Sequence, residues 1–110
     1  SSTGNYKVTA TGSGVLGAFT INSGLNFIPY TVTWNAGGAG NLASTGTALT
    51  AAIQSSNFGN ASTGSANCSG GGASNDTARL IIGITSLAMD AAASSSTPYT
   101  GSITMLITPY

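Results

Sequence analysis

The chain closes on PYTGSITMLITPY, where apolar and polar positions alternate with a period of two. Tyr99, Gly101, Ile103, Met105 and Ile107 share one parity, while Thr100, Ser102, Thr104 and Thr108 share the other. Successive side chains of a strand point to opposite faces, so the pattern predicts a half-buried β-strand. Near the start, Tyr6, Val8 and Ala10 alternate with Lys7, Thr9 and Thr11 and predict a second strand. Val15, Gly17, Phe19 and Ile21 predict a third, ended by the turn signal Asn22, Ser23, Gly24. FIPYTVTW puts Ile28, Tyr30, Val32 and Trp34 on one face and Thr31 and Thr33 on the other. Pro29 has no N–H to donate, so that strand is expected to begin near it or to lie at an edge.

The middle of the chain is less regular. LASTGTALTAAIQSSNF fits one short helix around Ala48 to Gln54 or two weak strands, and its Thr, Gly and Ser content favours strand or irregular structure. GNASTGSANCSGGGASN reads as a Gly/Ser-rich loop, longer than compact domains usually hold unless the loop is mobile or functional. TARLIIGITSLAMD predicts a central strand with Ala78, Leu80, Ile82 and Ile84 inward and Arg79 outward. Apolar Ile81 adds the expectation of cover on both faces. There is no repeat of solenoid period and no heptad pattern. Strand-like segments punctuated by Gly, Ser and Asn predict an all-β antiparallel sandwich of six or seven strands.

At 110 residues the chain is expected to form one domain, 1–110, with a two-layer core. Only 4% of residues are charged, against roughly 25% in an ordinary soluble domain. Lys7, Asp76, Arg79 and Asp90 are the whole set, and they cancel. Such a surface has no electrostatic footprint for DNA, RNA or anionic lipid, so nucleic acid is not an expected partner. Ser, Thr, Asn and Gly take the exposed positions instead, a palette that suits secreted proteins and densely assembled subunits. No leader precedes Ser1 and no apolar run approaches the ~18 residues of a membrane span, so no membrane insertion is expected. The chain reads as a mature form or a fragment. Cys68 is the only cysteine and forms no disulfide within the chain. It is either a small buried thiol or the partner of a residue upstream of Ser1.

Catalytic chemistry is hard to assemble from these residues. With no His and no Glu, a Ser-His-Asp triad is impossible, and a carboxylate pair needs Asp76 and Asp90 to converge. One Cys without His makes no usual zinc or iron site, and Asn75 with Asp76 offers too few oxygens for Ca²⁺. The expectation is therefore a protein that is not an enzyme and has no cofactor. GSGVLG resembles a glycine-rich dinucleotide fingerprint, but no helix pattern follows it. Asn60, Asn67 and Asn75 open glycosylation sequons, yet Ser and Thr are so abundant that about that many arise by chance. Trp34 with Tyr30 or Tyr99 would make a sugar-stacking platform, but its parity with Ile28 and Val32 predicts a core position.

Two segments, GAFTINSGLNFIPYTVTW and CSGGGASNDTARLIIGITSLAMDAAASSSTPYTGSITMLITPY, resemble the pilin domains of bacterial chaperone–usher pili. The similarity is to the archaic and alternative branch and the spore-coat-U-like pilins, and it covers about two thirds of the chain. It rests on an IPY strand, a Cys before an Asn-containing turn into an apolar strand, and a closing Y-x-G-x-[ILV]-x-[ILVM] strand. The resemblance implies an incomplete immunoglobulin-like sandwich, completed when a neighbouring subunit donates a strand by β-augmentation. It also implies a periplasmic chaperone and an usher as assembly partners. On that reading Tyr99, Gly101, Ile103, Met105, Ile107 and Tyr110 form the strand that subunit and chaperone recognise. The family's earlier second Cys and longer N-terminus are absent here. NYKVTAT, with Tyr6, Val8 and Ala10, is then either the donor strand or an internal strand of a chain truncated upstream. Truncation is favoured, since it also explains Cys68 as half of a disulfide to an upstream residue.

The expected function is a structural subunit of a secreted, cell-surface fibre exported through the periplasm. Its partners would be neighbouring copies or other fibre subunits. Alternatives are the pilin-like domain of a tip adhesin, a carbohydrate-binding β-sandwich, or a strand-donating filament protein of another lineage, such as an archaeal pilus.

Overall fold

The computed structural model describes residues 4–37, 44–59 and 78–109. Along the chain it has β1 (Tyr6–Gly12), a 3-10 turn (Val15–Gly17), β2 (Thr20–Ser23), β3 (Asn26–Pro29) and β4 (Thr31–Asn35). Then come β5 (Thr47–Ala48), β6 (Arg79–Gly83), a short helix α1 (Ser86–Ala91) and β7 (Ile103–Pro109). Every strand pair is antiparallel, and the fold is all-β, as the alternation predicts.

β1 and β7 pair over their full length, from Tyr6 opposite Pro109 to Gly12 opposite Ile103. The alternation of β1 is realised as burial: Tyr6, Val8 and Ala10 are buried, while Lys7 and Thr9 between them are half-buried. A second sheet has the order β5-β4-β6, with Val32 opposite Ile82 and Trp34 opposite Leu80. The core lies where the two sheets meet and consists of Tyr6, Val8, Ala10, Tyr30, Val32 and Leu49. It is small, since Val8 and Val32 are its largest fully buried side chains. Phe19, Ile21, Trp34, Phe58, Ile103 and Met105 pack around it half-buried.

β2 and β3 form a hairpin closed by Gly24 and Leu25, with Ser23 opposite Asn26. Gly24 has φ 60°, which glycine adopts at the first central position of a tight hairpin turn. Two main-chain bonds between Asn22 and Thr100, of 2.8 and 2.9 Å, tie the hairpin to the chain entering β7.

Four expectations need correction. The strand proposed through Val15 and Gly17 starts only at Thr20, because residues 13–19 form a bulge around the 3-10 turn. Leu16 has φ 57° there, and Val15 and Leu16 face solvent. A Cβ at Gly12 would collide with the Ala18 carbonyl, so the bulge folds tightly back onto the end of β1. FIPYTVTW is divided at Tyr30 between β3 and β4, which join different sheets. Tyr30 donates its N–H to the Phe19 carbonyl at 2.9 Å, so Pro29 turns its missing donor away from β2. β6 is an edge strand among the described residues rather than a central one, since its sheet places it beside β4 alone. Finally, the second half of TARLIIGITSLAMD is α1, whose cap is Thr85: its hydroxyl accepts from Ala88 N at 3.0 Å.

Candidate functional site

The segment from Thr47 to Phe58 closes one side of the two layers. It begins as β5 on the edge of β4, where Leu49 N–H bonds the Val32 carbonyl at 2.8 Å. It then crosses to the edge of β1. Ala52 donates to Ala10, Ser55 to Val8 and Phe58 to Tyr6, each to the carbonyl at 2.7–2.8 Å. Tyr6 N–H returns a bond to Phe58 at 2.9 Å, and Val8 N–H reaches the Ser55 hydroxyl at 2.9 Å. Three residues of this segment span two of β1, so a side-chain hydroxyl substitutes for one carbonyl and no regular strand forms.

These bonds fix which way every peptide group nearby points. Tyr6, Val8 and Ala10 use their main-chain groups on the 52–58 side, so Lys7, Thr9 and Thr11 bond β7 through Thr108, Leu106 and Thr104. The peptide groups of Ile103, Met105 and Ile107 therefore point to the opposite edge of β7. Among the described residues no strand occupies that edge. The same reasoning applies to β6. Val32 bonds β5, so Thr31, Thr33 and Asn35 serve β6 through Gly83, Ile81 and Arg79, and Leu80 and Ile82 present their peptide groups outward.

Side chains directly opposite each other in an antiparallel pair lie on the same face. Ile107 sits opposite Val8, which is fully buried, and is nonetheless 46% exposed. Ile82 sits opposite Val32, which is 1% exposed, and is itself 53% exposed. Leu80 and Ile84 have the parity of Ile82 and are also open to solvent. Among the described residues each layer therefore ends in an edge that no strand pairs, with aliphatic side chains beside it open to solvent. The opposite side is sealed by residues 47–58. This open side is the candidate site.

Of the recognition strand expected from sequence, Ile103, Met105 and Ile107 lie together on the core face of β7, the first two half-buried. Tyr99 and Gly101 precede β7. The Tyr99 hydroxyl donates to the Ala93 carbonyl at 2.7 Å, and Gly101 lies against the Thr20 carbonyl. Tyr6, Val8 and Ala10, the candidate donor strand, are engaged within their own chain between β7 and the 52–58 segment. Cys68, Tyr110, the three sequons and the Gly/Ser-rich loop around them lie outside the described residues. Ala78, Leu80, Ile82 and Ile84, expected inward, are all exposed, and Ile81 is the half-buried aliphatic residue of β6. Leu80 and Ile82 share the face of Trp34 and Val32, but a single strand's pattern carries no sign of whether a neighbour covers it.

Tyr6, Phe19, Tyr30, Trp34 and Phe58 are committed to packing. Trp34 Nε1 donates to the Tyr6 hydroxyl at 3.0 Å, and the two rings meet edge to face with centroids 6.2 Å apart. Phe58 joins both rings at 5.9 and 6.4 Å. Tyr30 stacks on Phe19 at 5.6 Å, and burial raises the pKa of its hydroxyl. A niche of about 230 Å³ lies along residues 47–56, lined by Thr47, Leu49, Ile53, Gln54 and Ser55 among others, with no charged or aromatic side chain. Among the described residues no three His, Cys, Asp or Glu side chains gather as metal ligands, and no helix is long and apolar enough to cross a membrane.

No family model, no curated protein and no solved structure matches the chain.

Proposed function

We propose that this protein is a structural subunit of an extracellular fibre, held to its neighbours by a strand that one chain supplies to the open side of the next. The observation that carries the reading is the pairing of buried Val8 and Val32 with exposed Ile107 and Ile82 on the same faces. A face that is core at one strand and solvent at the next lacks a strand's worth of cover. An added strand would bond the free edge of β7 at Ile103, Met105 and Ile107, the longer of the two edges, and lay alternate side chains over the aliphatic groups. Peptide capture at a sheet edge works in this way: main-chain bonds supply affinity and the alternate side chains supply fit. An immunoglobulin-like sandwich with one strand missing accommodates this arrangement.

The composition supports the same reading. A chain with 4% charged residues and no net charge places no repulsion across a dense subunit interface. The lack of His and Glu leaves an enzymatic role without its usual acids and bases. Since β1 is held between β7 and residues 52–58, the donor is either a segment outside the described residues or a β1 released from its own chain. Passage through a periplasm, with a chaperone covering the open side before assembly, belongs to this proposal.

Thermal melting with complementing peptides tests it. Leu80, Ile82, Ile84 and Ile107 are 36–53% exposed and Met105 less so, so covering them contributes on the order of 4–5 kcal/mol at roughly 1 kcal/mol apiece. That matches the lower end of a whole domain's stability, which is about 5–15 kcal/mol. A peptide of alternating apolar residues should raise the melting temperature by about 10 °C, once ordering costs are deducted. A scrambled peptide of the same composition should leave it in place. Equal shifts from both, or none from either, would reject strand addition at this site.

A further inference from the structure

We draw no further inference here: the strongest candidate, the exposed apolar patch that Leu25 and Phe27 of the β2–β3 hairpin make beside Leu87 and Met89 of α1, carries nothing because nothing in the structure shows what covers it.

Discussion

Tyr30 links local packing to a measurable titration. It is 8% exposed and stacked on Phe19, and burial raises its pKa above the ordinary 10.0 by disfavouring the phenolate. As pH rises, the unfolded chain loses this proton first, so the folded state binds more protons there. Stability is intact below pH 10 and falls as pH rises through the unfolded value toward the raised folded one. Tyr30→Phe keeps the stacked ring and removes the proton, so the alkaline loss of stability should be shallower in the variant. Superimposable alkaline limbs would mean that Tyr30 is equally solvated in both states. Gly12 offers a steric test of the bulge after β1. Its missing Cβ is what lets the Ala18 carbonyl approach, and Gly14 N–H bonds that carbonyl at 3.0 Å. Gly12→Ala should cost about 2–3 kcal/mol through forced backbone displacement, read as a lower urea midpoint. An unchanged midpoint would show that residues 13–19 do not fold back onto β1.

At the scale of elements, β7 allows its two faces to be compared at adjacent positions. Ile103 lies opposite Gly12 on the core face and packs at the margin of the core, whereas Thr104 faces solvent opposite Thr11. Ile103→Asp puts a carboxylate against apolar neighbours and should cost about 2 kcal/mol or more. Thr104→Asp should stay within about 0.5 kcal/mol. Equal losses in denaturant titrations would contradict the facing assigned to β7. The same two-sidedness is why β1 and β7 were legible in the sequence: each has one face in the core and one toward solvent, so burial imprints a period of two. Where packing is less regular the imprint fails. Val15, Gly17, Phe19 and Ile21 alternate as well as a strand does, yet Val15 is 85% exposed on a bulge closed by the approach of Ala18 to Gly12, a backbone contact that alternation does not record. α1 has six residues, fewer than two turns, too short to show a 3.6-residue repeat. Its one local signal is Thr85 ahead of Ser86, Leu87 and Ala88, a cap before good helix formers. Residues 52–58 border β1 with irregular spacing and a hydroxyl in place of a carbonyl, a match that no pattern within the segment encodes. For the candidate site, the core-facing residues of β6 and β7 were readable from parity. Their exposure was not, because exposure depends on which strands are neighbours.

At the scale of the whole molecule, two edges that no strand covers among the described residues make association the expected behaviour of the isolated chain. Free N–H and C=O groups on an apolar edge template pairing with another chain, and natural proteins usually blunt such edges with charge or proline. β7 has Pro109 at its end, but Ile103 to Thr108 include no charged residue, and β6 has only Arg79 at its start. Sedimentation at increasing concentration should therefore reveal dimers and larger species, and the complementing peptide should dissolve them as it fills the edge. A pair of double variants separates the open side from general stickiness. Ile82→Lys with Ile107→Lys adds two positive charges to the exposed core-facing groups of both edges, where a lysine stem can lie along apolar surface with its ammonium in water. Leu25→Lys with Leu87→Lys adds the same charge on the hairpin and α1, where both leucines are largely exposed. Net charge changes equally, so colloidal repulsion acts on both variants alike. The open-side variant should be monomeric and unresponsive to peptide, while the hairpin variant should keep associating and keep its peptide-induced rise in melting temperature. If both variants lose association equally, charge alone governs solubility and the edges have no special part in it. If the unmodified chain remains a monomer at high concentration and no peptide shifts its melting, the two edges are closed in solution and the strand-donation reading is wrong.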